Sequence, residues 1–321
     1  MDDILVISSQ ALPEERRLFS STLHVVRRFV RRKPLGALGA SFIILMFICA
    51  LFADRQVITL RQSTAPLVAP HYFDDQHLRD RLQGPSLAHP LGTDGNGRDQ
   101  LSRIIYGARV SVIVGFSAVL LAMVVATTIG VFSGYVGGTF DIIVQRFVDA
   151  WIAFPAIVIL ISGVQVAKAY LGNSPEAQTF AVILVLGIVL AAGASRVIRS
   201  SSIAVKSNLY VDAARTIGAT ELRIVLRYIL PNVMAVIIVL ATLQLGAAIL
   251  AEATISFLGF GIPPPFPSWG RMLGPDALLL VRRDSWLVFF PGLAIFVVVF
   301  GFNVFGDALR DVLDPRLRGG R

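Results

Sequence analysis

Six apolar blocks recur along the chain, at 35–53, 110–132, 147–167, 179–195, 232–251 and 286–306, separated by polar stretches of very unequal length. Each block approaches the roughly 20 residues with which a helix crosses a ~30 Å hydrocarbon core. Lipid offers no partner to a free peptide group, so helices are the expected spanning element. The short alternating segments of a transmembrane barrel are absent. The pattern therefore predicts an all-α membrane protein with six transmembrane helices.

Six spans put both termini on one side of the bilayer, and Lys and Arg choose the side. With the termini inside, 18 of the 29 Lys and Arg residues fall on the inner face. Both termini are therefore expected in the cytoplasm. Composition agrees with a membrane class: 55% of the 321 residues are hydrophobic and 16% charged, where soluble domains carry about a quarter charged. The net charge of +8 follows from the inner-face bias. No basic folded domain accompanies it, so nucleic-acid binding is not expected. The one cysteine, Cys49, lies inside the first block and is expected to pack there. A cleaved signal peptide is not expected ahead of that block.

Between the spans the chemistry is sparse. Basic and apolar residues interleave over 13–33, which predicts an amphipathic helix on an anionic inner leaflet. The outer loop holds His71, His77 and His89, whose spacing matches no metal-ligand pattern, so ordinary surface histidines and no metal site are expected. Turns with local ion pairs are expected around Asp94, Arg98 and Asp99. The glycine-rich turn at 133–138 lacks the Lys-Ser/Thr ending of a phosphate loop. Gly130 and Gly134 are spaced for close helix packing. Asp149, Gln165, Gln244 and Glu252 are the candidates for a translocation pathway. Structural pairing or interhelical hydrogen bonding is the competing role, with Lys168 and Glu252 at helix ends within reach of water. The segment from Phe257 to Trp269, with its triple proline, is expected to form a rigid lip at the interface.

The polar insert at 196–231 is longer than a connection needs. Ile203, Tyr210, Ala213, Ala214 and Ile217 are spaced for one helical face, which Gly218 can end at positive φ. Ala219 follows, Thr220 offers an N-cap, and Glu221 suits the first-turn dipole. Leu222, Val225, Leu226 and Ile229 then repeat at i, i+3, i+4, i+7 with Arg223 and Arg227 opposite, predicting a second short amphipathic helix. Leu230-Pro231 would open the fifth span. Two short helices with a glycine elbow form a surface that spanning alone does not require.

At these residues the chain resembles a known family. Asp212-Ala213-Ala214, then Gly218, then Leu230-Pro231 are similar to the EAA signature of permease subunits from binding-protein-dependent ABC importers, with Asp212 for the usual Glu and Tyr228 for the usual Ile. The resemblance covers nearly the whole chain. Arg27-Arg28-Phe29-Val30-Arg31-Arg32-Lys33, His89-Pro90-Leu91-Gly92-Thr93-Asp94, Gly97-Arg98-Asp99 and Tyr106-Gly107-Ala108-Arg109-Val110-Ser111 resemble the dipeptide, oligopeptide and nickel permeases of the DppC/OppC type. So do Gly134-Tyr135-x-Gly137-Gly138, Phe154-Pro155, Ser256-Phe257-Leu258-Gly259 and Pro267-Ser268-Trp269-Gly270.

The resemblance implies a type I ABC importer permease in a prokaryotic inner membrane. Its plan would be a cytoplasmic segment 1–34, a first span 35–53, a periplasmic loop 54–109, and a core 110–306. The core would carry the coupling loop 196–231 and the periplasmic loop 253–285, with a tail at 307–321. The elbow would dock in a groove of a cytoplasmic ATPase through 219–226, with Asp212 and Gly218 setting its angle. The coupling set is then Tyr210, Asp212, Ala213, Ala214, Gly218, Ala219, Thr220, Leu222, Arg223, Leu226, Leu230 and Pro231. The implied partners are two ATPase subunits, a second homologous permease and a periplasmic or lipid-anchored substrate-binding protein, besides lipid. No G-x-x-x-x-G-K-[ST] motif occurs, so catalysis and the cofactors ATP and magnesium would belong to the ATPase chains. Di- or oligopeptides are the expected cargo, with nickel-chelate or another small solute as the same-family alternative. An ion-coupled secondary carrier and a non-transporting scaffold are the alternatives of other classes.

Overall fold

The computed structural model describes residues 29–31, 33–53, 68–172, 174–280 and 282–313. The amphipathic helix expected over 13–33 falls mostly outside the described residues, as does much of the tail. Among the described residues, five helices are long and apolar enough to cross a membrane: α1 (Pro34–Phe52), α2 (Gln100–Val136), α5 (Pro175–Lys206), the run Glu221–Phe257, and α10 (Trp286–Leu313). A sixth span arises if α3 (Gly138–Ala153) and α4 (Ala156–Leu171), bent by 93° between them, count as one. The apolar block at 147–167 is thus not one straight helix. Pro155 cannot continue α3, and Phe154 before it takes an extended conformation.

The core is the packing of α2 against α5. Ala118, Ala122 and Ala126 of α2 are fully buried, as is Ile198 of α5. Small residues let the backbones meet. A Cβ on Gly130 would stand 2.6 Å from the Ser195 carbonyl oxygen, and one on Gly134 would stand 2.8 Å from that of Arg199. The close packing expected of this pair is therefore real, and its partner is α5. At 37 residues, α2 is about 55 Å long, well beyond a ~30 Å hydrocarbon core. Its end, with that of α5, leads to the 207–229 elbow.

That elbow differs from the sequence expectation in two ways. Ile203 ends up on α5, while α6 (Leu209–Thr216) is a separate helix that buries Val211 and Ala214 and leaves Tyr210, Ala213 and Ile217 exposed. The break at Ser207-Asn208, capped by Asn208 Nδ2 on the Ala204 and Val205 carbonyls, resets the helical phase. Second, the helix after the glycine is not separate from the fifth span. One turn, α7 (Glu221–Ile224), runs through a π-helical turn at Val225–Ile229 into α8 (Leu230–Phe257).

At the other end of the bundle, the segment expected as an interfacial lip turns inward. Ile262 and Trp269 are buried, the latter on short α9 (Trp269–Met272). The Trp269 indole donates to the Ile104 carbonyl at 2.9 Å, and Phe266 packs on Phe73. The segment therefore clamps the start of α2. Beside it lies a cavity of about 580 Å³ whose lining includes Arg81, Asp94, Arg98, Arg103 and Arg271.

Candidate functional site

The elbow is built from local rules. Gly218 sits at φ 81° and ends α6. Its N–H bonds to the Arg215 carbonyl, and the Ala219 N–H reaches back to the Ala214 carbonyl. This is the Schellman arrangement, and it satisfies carbonyls that the helix end would leave open. Thr220 occupies the N-cap position of α7 with extended backbone, but its side chain makes no cap hydrogen bond. The π turn serves Pro231. A proline there has no N–H to give and would press on the carbonyl four residues back. The Leu230 N–H instead bonds to the Val225 carbonyl, five residues back, so the turn widens ahead of the ring.

One buried side chain holds these pieces together. Tyr135, at the end of α2, donates its hydroxyl to the Glu221 carboxylate and accepts from Arg215 Nη2 at 3.3 Å. Arg215 and Lys206 both lie over its ring, at 5.6 and 5.5 Å from the centroid. Lys206 Nζ also donates to the Tyr135 carbonyl at 2.5 Å. The hydrogen bond to Tyr135 raises the Arg215 pKa further above its ordinary value, so its charge is fixed. The ends of α2 and α5, and both arms of the elbow, therefore meet at Tyr135. A step further along, Arg199 on α5 pairs with Asp141 on α3, which also accepts from Ser133 at 2.7 Å.

So braced, the elbow presents apolar side chains outward. Leu209 is 86% exposed, Ile217 81%, Leu222 59% and Leu226 54%. Arg223 and Arg227 are exposed among them. The anchors beneath are Val211, Ile224 and Ile229, which are fully buried.

Residues 126–319 match the family described as binding-protein-dependent transport system inner membrane component. The chain belongs to this family of transport permeases. Residues 21–85 match the N-terminal transmembrane domain of oligopeptide transport permease C. Two relatives resemble the permease along almost its full length. The dipeptide transport system permease protein DppC of Alkalihalophilus pseudofirmus is 36% identical over 306 residues, 95% of this chain and 94% of that protein. The glutathione transport system permease protein GsiD of Escherichia coli is 37% identical over 293 residues, 91% of this chain and 90% of that protein. Membership makes this an ABC importer permease and sets aside the secondary carrier and the scaffold.

In the permease, the sequence-derived coupling residues fall together on one elbow, but with different tasks. Leu222, Arg223 and Leu226 point outward, as does Tyr210, while Ala214 is buried beneath. Ala219, Leu230 and Tyr228 pack partly against the core. Asp212 is exposed and stands 3.8 Å from Arg215 on its own helix. The contact that crosses elements is made by Glu221.

The pathway candidates do not converge. Asp149 pairs with Arg196 of α5. Gln165 is exposed on α4. Gln244 donates to the Leu190 carbonyl of α5 at 3.3 Å. Glu252 is not at a helix end within reach of water: it is 1% exposed inside α8 and accepts from Ser256 at 2.6 Å and Ser268 at 2.8 Å. It ties the span to the inward-turned segment. Lys168, likewise, donates to the Phe260 and Gly261 carbonyls of that segment. The histidines also depart from expectation. His77 is exposed, but His89 is largely buried against Asp99.

Proposed function

We propose that the permease imports short peptides as one of two homologous membrane subunits, driven by two separate cytoplasmic ATPase subunits that hold ATP and magnesium. The elbow at 209–226 docks in a groove of one ATPase, and both termini lie on that cytoplasmic side. A periplasmic or lipid-anchored binding protein delivers the cargo to the opposite face. The observation that carries this reading is the row of exposed apolar side chains, Leu209, Ile217, Leu222 and Leu226, on an elbow fastened from beneath by Tyr135. Apolar residues so exposed on a stand-off element mark a protein interface. ATP binding would shift the pair of permeases between inward and outward access, which takes about 5.5 kcal/mol of differential stabilisation for a near-complete switch.

For the cargo, two relatives are named for a dipeptide and for glutathione. Both solutes carry carboxylates, and the guanidinium groups at the cavity of Arg81, Arg98, Arg103 and Arg271 suit them. The test is uptake in vesicles holding the full complex. A Leu222→Asp, Arg223→Asp variant should insert normally yet lose peptide uptake, and retained peptide-stimulated ATP hydrolysis with normal uptake would overturn the docking role. Uptake of a nickel chelate in place of dipeptide by the parent complex would overturn the cargo.

A further inference from the structure

At the end of the bundle opposite the elbow, the chain ahead of α2 folds back on itself. Three donor groups meet there: the imidazoles of His71 and His89 and the carboxylate of Asp99, with one donor atom from each within 4.8 Å of the others. His89 Nδ1 lies 3.0 Å from Asp99 Oδ1, and His71 Nδ1 lies 3.9 Å from Asp99 Oδ2. The two rings stand 5.1 Å apart, tilted by 33°. The cluster is set into the protein: the Asp99 side chain is 1% exposed and that of His89 12%, with His71 forming the outer wall.

One donor in the cluster is unclaimed. His71 Nδ1 is buried and has no hydrogen-bond partner, and 3.9 Å is too long to give it one in Asp99. His89 Nδ1 is within hydrogen-bond distance of Asp99 Oδ1, so the donor without a hydrogen-bond partner is that of His71. With zinc–nitrogen and zinc–oxygen distances near 2.0–2.1 Å, tetrahedral ligand atoms stand about 3.3 Å apart. His89 Nδ1 and Asp99 Oδ1 stand near that value at 3.0 Å, while His71 Nδ1 lies further out, 3.9 Å from the other carboxylate oxygen. To join Oδ1 and His89 Nδ1 around one ion, the partly exposed His71 ring would have to swing inward. The supporting shell is also present. Ser102 donates to Asp99 Oδ2 through both its backbone N–H and its hydroxyl, each at 2.7 Å, so that Oδ1 is the oxygen that meets His89 Nδ1. The His71 backbone N–H in turn donates to the Ser102 hydroxyl at 2.9 Å. Such outer partners orient metal ligands.

We propose that His71, His89 and Asp99 bind a divalent transition-metal ion, zinc by preference, as a three-ligand site with its fourth position toward solvent. Imidazole and carboxylate donors in this number suit zinc and disfavour magnesium or calcium, which take oxygen ligands. The ion would fasten the loop before α2 to that helix's first turn. Arg98, the residue before Asp99, lines the cavity, so the ion would also fix one wall of that cavity.

The test uses the full chain, purified in detergent, stripped with a chelator and titrated with zinc ions alone. The parent should take up one zinc per chain with a rise in thermal midpoint. His71→Ala changes only the outer wall of the site, and should weaken that uptake at least tenfold and abolish the rise. His89→Ala should do the same. His77→Ala, on an exposed histidine of the same loop, should behave as the parent and serves as the control. Equal zinc uptake by the parent and His71→Ala, whether one equivalent or none, would overturn the proposal. So would an equal loss in His77→Ala.

Discussion

Tyr135 shows how much of the elbow rests on one side chain. Its hydroxyl joins Glu221 and Arg215, and its ring carries two cations. Tyr135→Phe keeps the ring and removes the hydroxyl, so the cation contacts persist and the carboxylate loses its donor. A hydrogen bond to a charged group is worth about 1.5–3 kcal/mol when shielded, and somewhat less at this half-exposed edge. Amide exchange across 209–224 should therefore quicken by roughly tenfold in Tyr135→Phe, while exchange in α2 stays unchanged. Gly218 poses a different kind of test. A Cβ there would meet nothing within 4 Å, so the penalty of substitution is conformational and not steric. A left-handed residue other than glycine costs about 1–2 kcal/mol, least for Asn and most for a β-branched side chain. Peptide uptake should accordingly fall in the order Gly218→Asn, Gly218→Ala, Gly218→Val; equal uptake in all three would remove the elbow's angle from the mechanism. Gly218 was legible in the sequence because its task is local. Tyr135 was not, because its partner Glu221 lies 86 positions away. It stood in the Gly134-Tyr135-x-Gly137-Gly138 stretch, where only the glycines had a local meaning.

At the scale of elements, the π turn decides which residues face outward. A strict 3.6-residue period placed Leu222, Val225, Leu226 and Ile229 together on one apolar face. The wide turn shifts the phase by about 100° for its extra residue. Val225 and Ile229 are buried together with Ile224, while Leu222 and Leu226 turn outward. The amphipathic period was visible in the sequence, but the interruption was not, since it answers to Pro231 several residues downstream. Pro231→Ala restores an N–H and removes the ring's clash, so an ordinary α turn becomes available. The variant should insert and fold, yet rotate α7 relative to α8 and lower coupling of ATP hydrolysis to uptake; cross-linking between a cysteine at 222 and the ATPase would report the rotation. The α2 and α5 pair tests the core. Gly130→Leu forces a side chain into the Ser195 carbonyl and should destabilise the bundle by several kcal/mol, seen as a lowered thermal midpoint. The bent pair α3 and α4 had a readable cause in Phe154-Pro155, but hydropathy alone ran the two helices together.

On the scale of the whole molecule, the apolar blocks sufficed for the class and for five of the spans, because bilayer thickness fixes helix length; the block at 147–167 became part of the bent pair α3 and α4. They did not reveal which polar groups sit inside. Glu252 looked like a helix-end carboxylate, and folding buried it under a segment 16 residues on. Nor did spacing reveal that His71 and His89 come together at Asp99, a meeting produced by the fold-back of the loop. The proposed orientation predicts that protease added outside intact cells cuts the loop at 54–105, while inside-out vesicles protect it. The exposed apolar row on the elbow has one more consequence, which concerns the life of the chain before it is part of anything. In the proposed orientation Leu209, Ile217, Leu222 and Leu226 would face cytoplasm until an ATPase covered them, and uncovered apolar surface is what chaperones and proteases bind. An orphan copy should be short-lived, so the cellular level of this permease should rise several-fold when the ATPase genes are co-expressed, and Leu222→Asp should blunt that dependence. Stoichiometry in the membrane would then be set by degradation of the unmatched subunit, with no need for balanced synthesis.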